Sequence, residues 1–138
     1  MLPTLQTILL VDDDETTNFL HLRLLSRLNV AKNITVATNG EEALHFLQNN
    51  CQQPLDNPNC PILIFLDIKM PVMDGFEFLE EYENLAPDLN PAIRIVMLSS
   101  SGNPVDMERL KSFSQEYKYY FKPLSSEIIK EVIADNFA

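Results

Sequence analysis

Apolar residues in this chain gather into short runs separated by segments of helical spacing. Ile8 to Val11, Ile62 to Leu66 and Ile93 to Leu98 are compact runs rich in strand-favouring residues. Ile34 to Ala37 alternates apolar and polar, and Tyr119 to Phe121 is a short aromatic stretch. Between these runs the apolar residues recur every three or four positions. Phe19, Leu20, Leu22, Leu24, Leu25 and Leu28 are expected on or near one face of a first helix, and Ala43, Leu44 and Leu47 mark a second. Phe76, Leu79, Tyr82 and Leu85 mark a third, closed by Pro87. Asn103 and Pro104 read as the cap and first turn of a fourth, with Val105, Leu110 and Phe113 on its buried side. Ser125 or Ser126 stands near the cap of the last, which buries Ile128, Ile129, Val132 and Ile133. The order is strand then helix, five times over. It predicts an α/β fold with a parallel sheet covered by helices on both faces. The flavodoxin-like order 2-1-3-4-5 is the expected one, and all 138 residues are read as one domain.

Composition narrows the partners. The net charge is −10, with ten Lys and Arg against twenty Asp and Glu, which disfavours phosphate backbones and anionic lipid surfaces. No apolar run is long enough to span a bilayer. The first residues lack the basic start and cleavage site of a signal peptide, so a cytoplasmic location is expected. Cys51 and Cys60 flank a long Pro- and Asn-rich connection from Gln48 to Pro61 and read as two free thiols. His21 and His45 fall in helices and read as surface or boundary residues without a catalytic role.

The chemistry emerges at the strand ends. The first strand ends in Asp12 and Asp13, the third in Asp67, the fourth in Ser99 and the fifth in Lys122. A parallel sheet brings its carboxyl ends to one edge, where ligands bind in open α/β folds. Three carboxylates in one crevice repel each other, and a hard divalent cation relieves this. Oxygen ligands with open water positions suit Mg²⁺. Asp13 and Asp67 are the expected direct ligands. Asp12 would bind directly or through water, and Lys69 through its backbone carbonyl. Asp14 is the best candidate to cap the first helix. These parts match phosphoryl transfer to a carboxylate, with Asp67 as acceptor, Lys122 as fixed cation and Ser99 as hydroxyl donor. A phosphoryl group on Asp67 would draw Ser99 and the loop behind it, and Tyr119 could turn into the space left.

Asp12-Asp13 after I-L-L-V, the run L-D-I-K-M-P-V-M-D-G around Asp67, Ser99, Tyr119 and Lys122-Pro123 together resemble a response-regulator receiver domain of two-component signalling, of the chemotaxis-regulator type. The resemblance extends from about Ile8 to the last helix. It implies Mg²⁺-dependent phosphorylation of Asp67 by a sensor histidine kinase or phosphotransfer protein, with acetyl phosphate as an alternative donor. It implies a single-domain regulator that acts on a downstream protein target through its fourth helix, fifth strand and fifth helix. The long connection is similar to that of regulators partnering bacterial phytochromes, which makes a phytochrome-type kinase one candidate. Receivers often pair symmetrically once phosphorylated, so a homodimer is among the expected assemblies. Two other readings compete. A multiple-turnover phosphatase of the haloacid-dehalogenase type resembles this site but needs a second Asp where Lys69 stands. A scaffold would keep the fold without using the phosphoacceptor.

Overall fold

The computed structural model describes residues 3–52, 57–100 and 102–137. Strands β1 (Leu5–Val11), β2 (Ala31–Ala37), β3 (Leu63–Asp67), β4 (Arg94–Ser99) and β5 (Tyr119–Phe121) alternate with helices α1 (Glu15–Leu28), α2 (Gly40–Asn50), α3 (Gly75–Leu85), α4 (Pro104–Leu110) and α5 (Ser126–Phe137). The strands form one sheet in the order β2-β1-β3-β4-β5, and every pairing is parallel. This is the flavodoxin-like arrangement expected from the strand–helix alternation.

Alternation along the central strands builds two cores. Ile8 and Leu10 of β1 and Leu63 and Phe65 of β3 pack with Leu25, Ile129, Val132 and Ile133. Their neighbours Leu9, Val11, Ile64 and Leu66 point the other way, into Leu44, Leu47, Phe78 and Leu79. Every residue of β3 is buried, because helices cover both its faces. The caps follow local chemistry. The Asp14 side chain accepts from Thr17 N–H at the start of α1, and Asp74 and Glu77 form a reciprocal capping box at the start of α3. Asn103 caps α4 through Val105 N–H, and Ser125 Oγ accepts from Ile128 N–H.

Three expectations change. The buried stripe of α1 is Asn18, His21 and Leu25. Phe19 and Leu20 are instead 59% and 53% exposed, and Leu22 is also exposed. Apolar residues surround this helix on several sides, so composition did not reveal which side faces the sheet. Val105 is 72% exposed, and Phe113 lies beyond the end of α4, packed on the core from the following segment. Most clearly, Cys51 and Cys60 are joined in a disulfide rather than free. Cys51 caps the C-terminus of α2 and Cys60 closely precedes β3, which brings their Cα atoms to 5.0 Å, within bonding range. Backbone contacts hold the neighbouring segments, with Asn90 N–H donating to Cys51 C=O and Gln52 bridging Leu89. The middle of the long connection lies outside the described residues. Among the described residues no helix is long and apolar enough to cross a membrane.

Glu83 of α3 ties down the segment leading into β5. Its carboxylate accepts from Tyr117 Oη at 2.9 Å, Ser114 N–H at 3.3 Å and Gln115 N–H at 3.2 Å. Burial opposes its charge, but these donors outweigh burial and hold its carboxyl below the ordinary range. The folded pKa is thus depressed, so the stabilisation is present above the unfolded value and lost as pH falls through the folded one. Glu83→Gln should cost about 1–2 kcal/mol at neutral pH in urea unfolding, with the gap narrowing in acid. An unchanged midpoint at neutral pH would contradict this role.

Candidate functional site

Each strand end delivers its polar group because the strand stops there. β1 ends at Val11, and Asp12 then turns the chain toward α1. Asp12 Oδ1 accepts from Asp14 N–H at 2.9 Å, and Asp12 N–H donates to Ala37 C=O of β2 at 3.0 Å. β3 ends on Asp67, whose Oδ1 accepts from Ile68 N–H at 2.9 Å. The loop after Asp67 reverses sharply. Met73 N–H donates to Pro71 C=O, and Val72 between them takes φ 67° in the left-handed region. Gly75 N–H then returns to Ile68 C=O at 2.8 Å.

Gly75 is required by close approach. A Cβ there would lie 2.4 Å from Asp67 C=O and 3.0 Å from Ile68 Cα. Backbone cannot rotate aside as a side chain can. Gly75→Ala should therefore lower stability by about 2 kcal/mol, read as a shifted denaturation midpoint. A midpoint equal to wild type would show that the loop yields more easily than its contacts indicate.

The side chains converge. Asp12, Asp13 and Asp67 offer carboxylate oxygens all within 4.8 Å of one another. Asp12 and Asp67 are buried, and Asp13 faces solvent. Lys122, from the loop after β5, places Nζ 2.5 Å from Asp12 Oδ2 and 3.2 Å from Asp67 Oδ1. Ser99 is 4% exposed at the end of β4, and its carbonyl accepts from Lys122 N–H at 2.8 Å. Lys69 is exposed two residues beyond Asp67. Tyr119 is 42% exposed on β5, its ring edge-on to Phe121. His45 is a surface residue. His21 is not: it is 3% exposed, and its Nε2 accepts from Leu124 N–H at 3.2 Å. Sequence pattern missed it because a histidine among leucines carries no mark of its distant partner.

The electrostatics point one way. Burial and the neighbouring Asp12 push the Asp67 carboxyl above its ordinary value, against the pull of Lys122. Burial opposes the charge on Lys122, but Asp12 and Asp67 more than compensate and hold the ammonium protonated. One cation is thus shared between two buried carboxylates, and a third stands beside them. Three carboxylates and one ammonium leave a formal charge of −2, which a divalent cation would neutralise. The all-oxygen donor set suits Mg²⁺.

Comparisons with known proteins point to one family. The family model described as "Response regulator receiver domain" matches residues 8–134. Response regulator Rcp1 of Synechocystis is 33% identical over 102 residues, covering 74% of this chain and 67% of that protein. The structure of the bacteriophytochrome response regulator AtBRR aligns at 29% identity with a TM-score of 0.73, covering 97% of this chain and 94% of that one. A two-component response regulator from Cytophaga hutchinsonii shares the fold, with a TM-score of 0.82 at 23% identity and 96% of each chain covered. The chain spans from 10% to 79% of the lengths of the curated relatives it matches. Family model, fold and strand-end chemistry all cover the same stretch of sequence, and the chain belongs to the response regulator receiver domain family.

Proposed function

We propose that this protein is a phosphorylation-switched signalling module in which Asp67 accepts a phosphoryl group with the help of Mg²⁺. The observation that carries the reading is the meeting of Asp12, Asp13, Asp67 and Lys122 in one crevice. Asp12, Asp13, Asp67 and the Lys69 backbone carbonyl would hold the ion. When bound, it supplies charge neutralisation for the incoming phosphoryl oxygens.

The chain's own residues do the rest. Asp67 presents a carboxylate oxygen to phosphorus; the bond from phosphorus to the donor's leaving group breaks as the new one forms. Lys122 already contacts the Asp67 carboxylate and can follow the added charge onto the phosphoryl oxygens. Ser99, the residue at the end of the adjacent strand β4, supplies a hydroxyl donor. Its movement would draw the loop toward Asn103, with Tyr119 turning in behind it. The exposed position of Tyr119 leaves such an inward rotamer to be populated. The protein is a phosphoacceptor and not a multiple-turnover enzyme, since Lys69 occupies the place where a phosphatase of this chemistry needs its acid.

The donor is a sensor histidine kinase or phosphotransfer protein, with a phytochrome-type kinase favoured by the bacteriophytochrome regulator among the structural neighbours. The output is a downstream protein partner, with symmetric self-association on phosphorylation as a related outcome. The acidic surface disfavours nucleic acid, and a cytoplasmic site of action fits this partner set. Incubating the protein with acetyl phosphate and Mg²⁺ tests the reading. Addition of one phosphoryl group to the intact chain, abolished by chelating the metal, is the expected result. Absence of uptake at any Mg²⁺ concentration would overturn it.

A further inference from the structure

The loop that carries Lys122 is held from two sides. Lys122 N–H donates to Ser99 C=O of β4 at 2.8 Å. Pro123 has no N–H to offer. Leu124 N–H, the next donor, is taken by His21 Nε2 of α1 at 3.2 Å across 103 residues of sequence. One turn earlier on the same buried stripe, Asn18 Nδ2 donates to Asp12 C=O at 2.8 Å. One helix face thus grips both the corner bearing Asp12 and the loop bearing Lys122. The two side chains so presented meet at 2.5 Å. Burial pulls the His21 imidazole below its ordinary pKa against the nearby Asp12, and Lys122 adds to the pull. The ring therefore stays neutral, with a lone pair on Nε2 for the amide.

We propose that His21 is a positioning residue for Lys122: by accepting the Leu124 amide it sets the loop that aims the ammonium at Asp12 and Asp67. A leucine here would fill the space and leave the Leu124 amide buried without an acceptor. The loop would then seek another partner, and Lys122 would move with it. The effect on transfer rests on Asp67 being the phosphoacceptor; the effect on Lys122 does not.

Three variants separate positioning from simple packing. The terminal amide of Gln reaches about as far as Nε2, so His21→Gln keeps an acceptor in place. Asn reaches only as far as Nδ1, so His21→Asn does not, and His21→Leu has no acceptor at all. The first readout uses unphosphorylated, Mg²⁺-free protein and the ¹H–¹⁵N resonance of the Lys122 ammonium, protected by its two carboxylates. It should persist in wild type and His21→Gln and vanish by exchange in His21→Leu and His21→Asn. The second is the maximal rate of phosphoryl uptake from acetyl phosphate at saturating Mg²⁺. It should fall about tenfold in the Leu and Asn variants, with Gln within about threefold of wild type. Circular dichroism checks folding, and if His21→Leu does not fold, the Gln and Asn pair decides. Equal losses in Gln and Asn, or a protected ammonium in all three variants, would overturn the proposal. A wild-type protein that takes up no phosphoryl group would instead reject the acceptor reading, while the ammonium resonance would still decide the placement of Lys122.

Discussion

Asp67→Asn should take up no phosphoryl group from acetyl phosphate and Mg²⁺, where the wild-type chain should take up one, as mass spectrometry of the intact protein would record. The amide matches the carboxylate in shape but offers no anionic oxygen to attack phosphorus. The same variant makes a second, independent prediction about stability. The environment of Asp67 raises its carboxyl pKa, chiefly through burial and then through Asp12, so the folded protein disfavours its charge. For an acid with a raised folded pKa, the native state holds more protons across the window between the unfolded and folded values. Stability is therefore lost as pH rises through that window, and the penalty is complete above it. Without Mg²⁺, Asp67→Asn should unfold at higher urea than wild type at neutral pH. The advantage should fade as pH falls from the raised folded value toward the ordinary 3.8, and be absent below it. Adding Mg²⁺ should reverse the order, because the ion stabilises the chain that binds it. Phosphoryl uptake by the variant at the wild-type level would move the acceptor elsewhere.

Removing the ammonium should be the more damaging change for the fold. Lys122 is only 16% exposed, and the side chains of Asp12 and Asp67 are 6% and 10% exposed. Lys122→Ala leaves two buried carboxylates facing each other with no cation between them. Losing one partner of a buried charge cluster costs about 3–5 kcal/mol. We expect a loss near the lower end, about 3 kcal/mol in Mg²⁺-free urea unfolding, since the exposed Asp13 side of the crevice admits water. Saturating Mg²⁺ should recover more stability in the variant than in wild type, because the ion takes over the missing charge. Phosphoryl uptake should slow by about a hundredfold, as the fixed cation no longer follows the transferring group. Equal stability of variant and wild type without metal would mean that Lys122 carries no structural charge here.

Much of this was legible beforehand, for a topological reason. Once strands and helices alternate, a parallel sheet is obligatory, and its carboxyl ends share an edge. Asp12, Asp13, Asp67, Ser99 and Lys122 could thus be placed together without knowing a single distance. Asp14 and Asn103 were equally readable as caps, since a cap's partner lies three residues away or fewer. What escaped depended on partners set by packing. His21 finds its donor 103 residues later, and no spacing announces it. Cys51 and Cys60 looked like loop thiols because a sequence separation of nine leaves the direction of two Cβ bonds open. In α1, Phe19 and Leu20 outshone Asn18 and His21 as core candidates on hydropathy alone. Yet the sheet edge needed polar contacts at that point, and the helix turned its polar pair inward.

Helix α2 joins two distant parts of the molecule. At its first residue, Gly40 N–H donates to Met73 C=O, inside the reversal that follows Asp67. At its far end, Cys51 is covalently fastened to Cys60 on the approach to β3. A helix pinned this way behaves as a strut of about 16 Å that cannot slide along its own axis. The helix thus links the reversal after Asp67 to the opposite end of the sheet. Cutting the sulfur bridge would release the foot of the strut and leave its head in place.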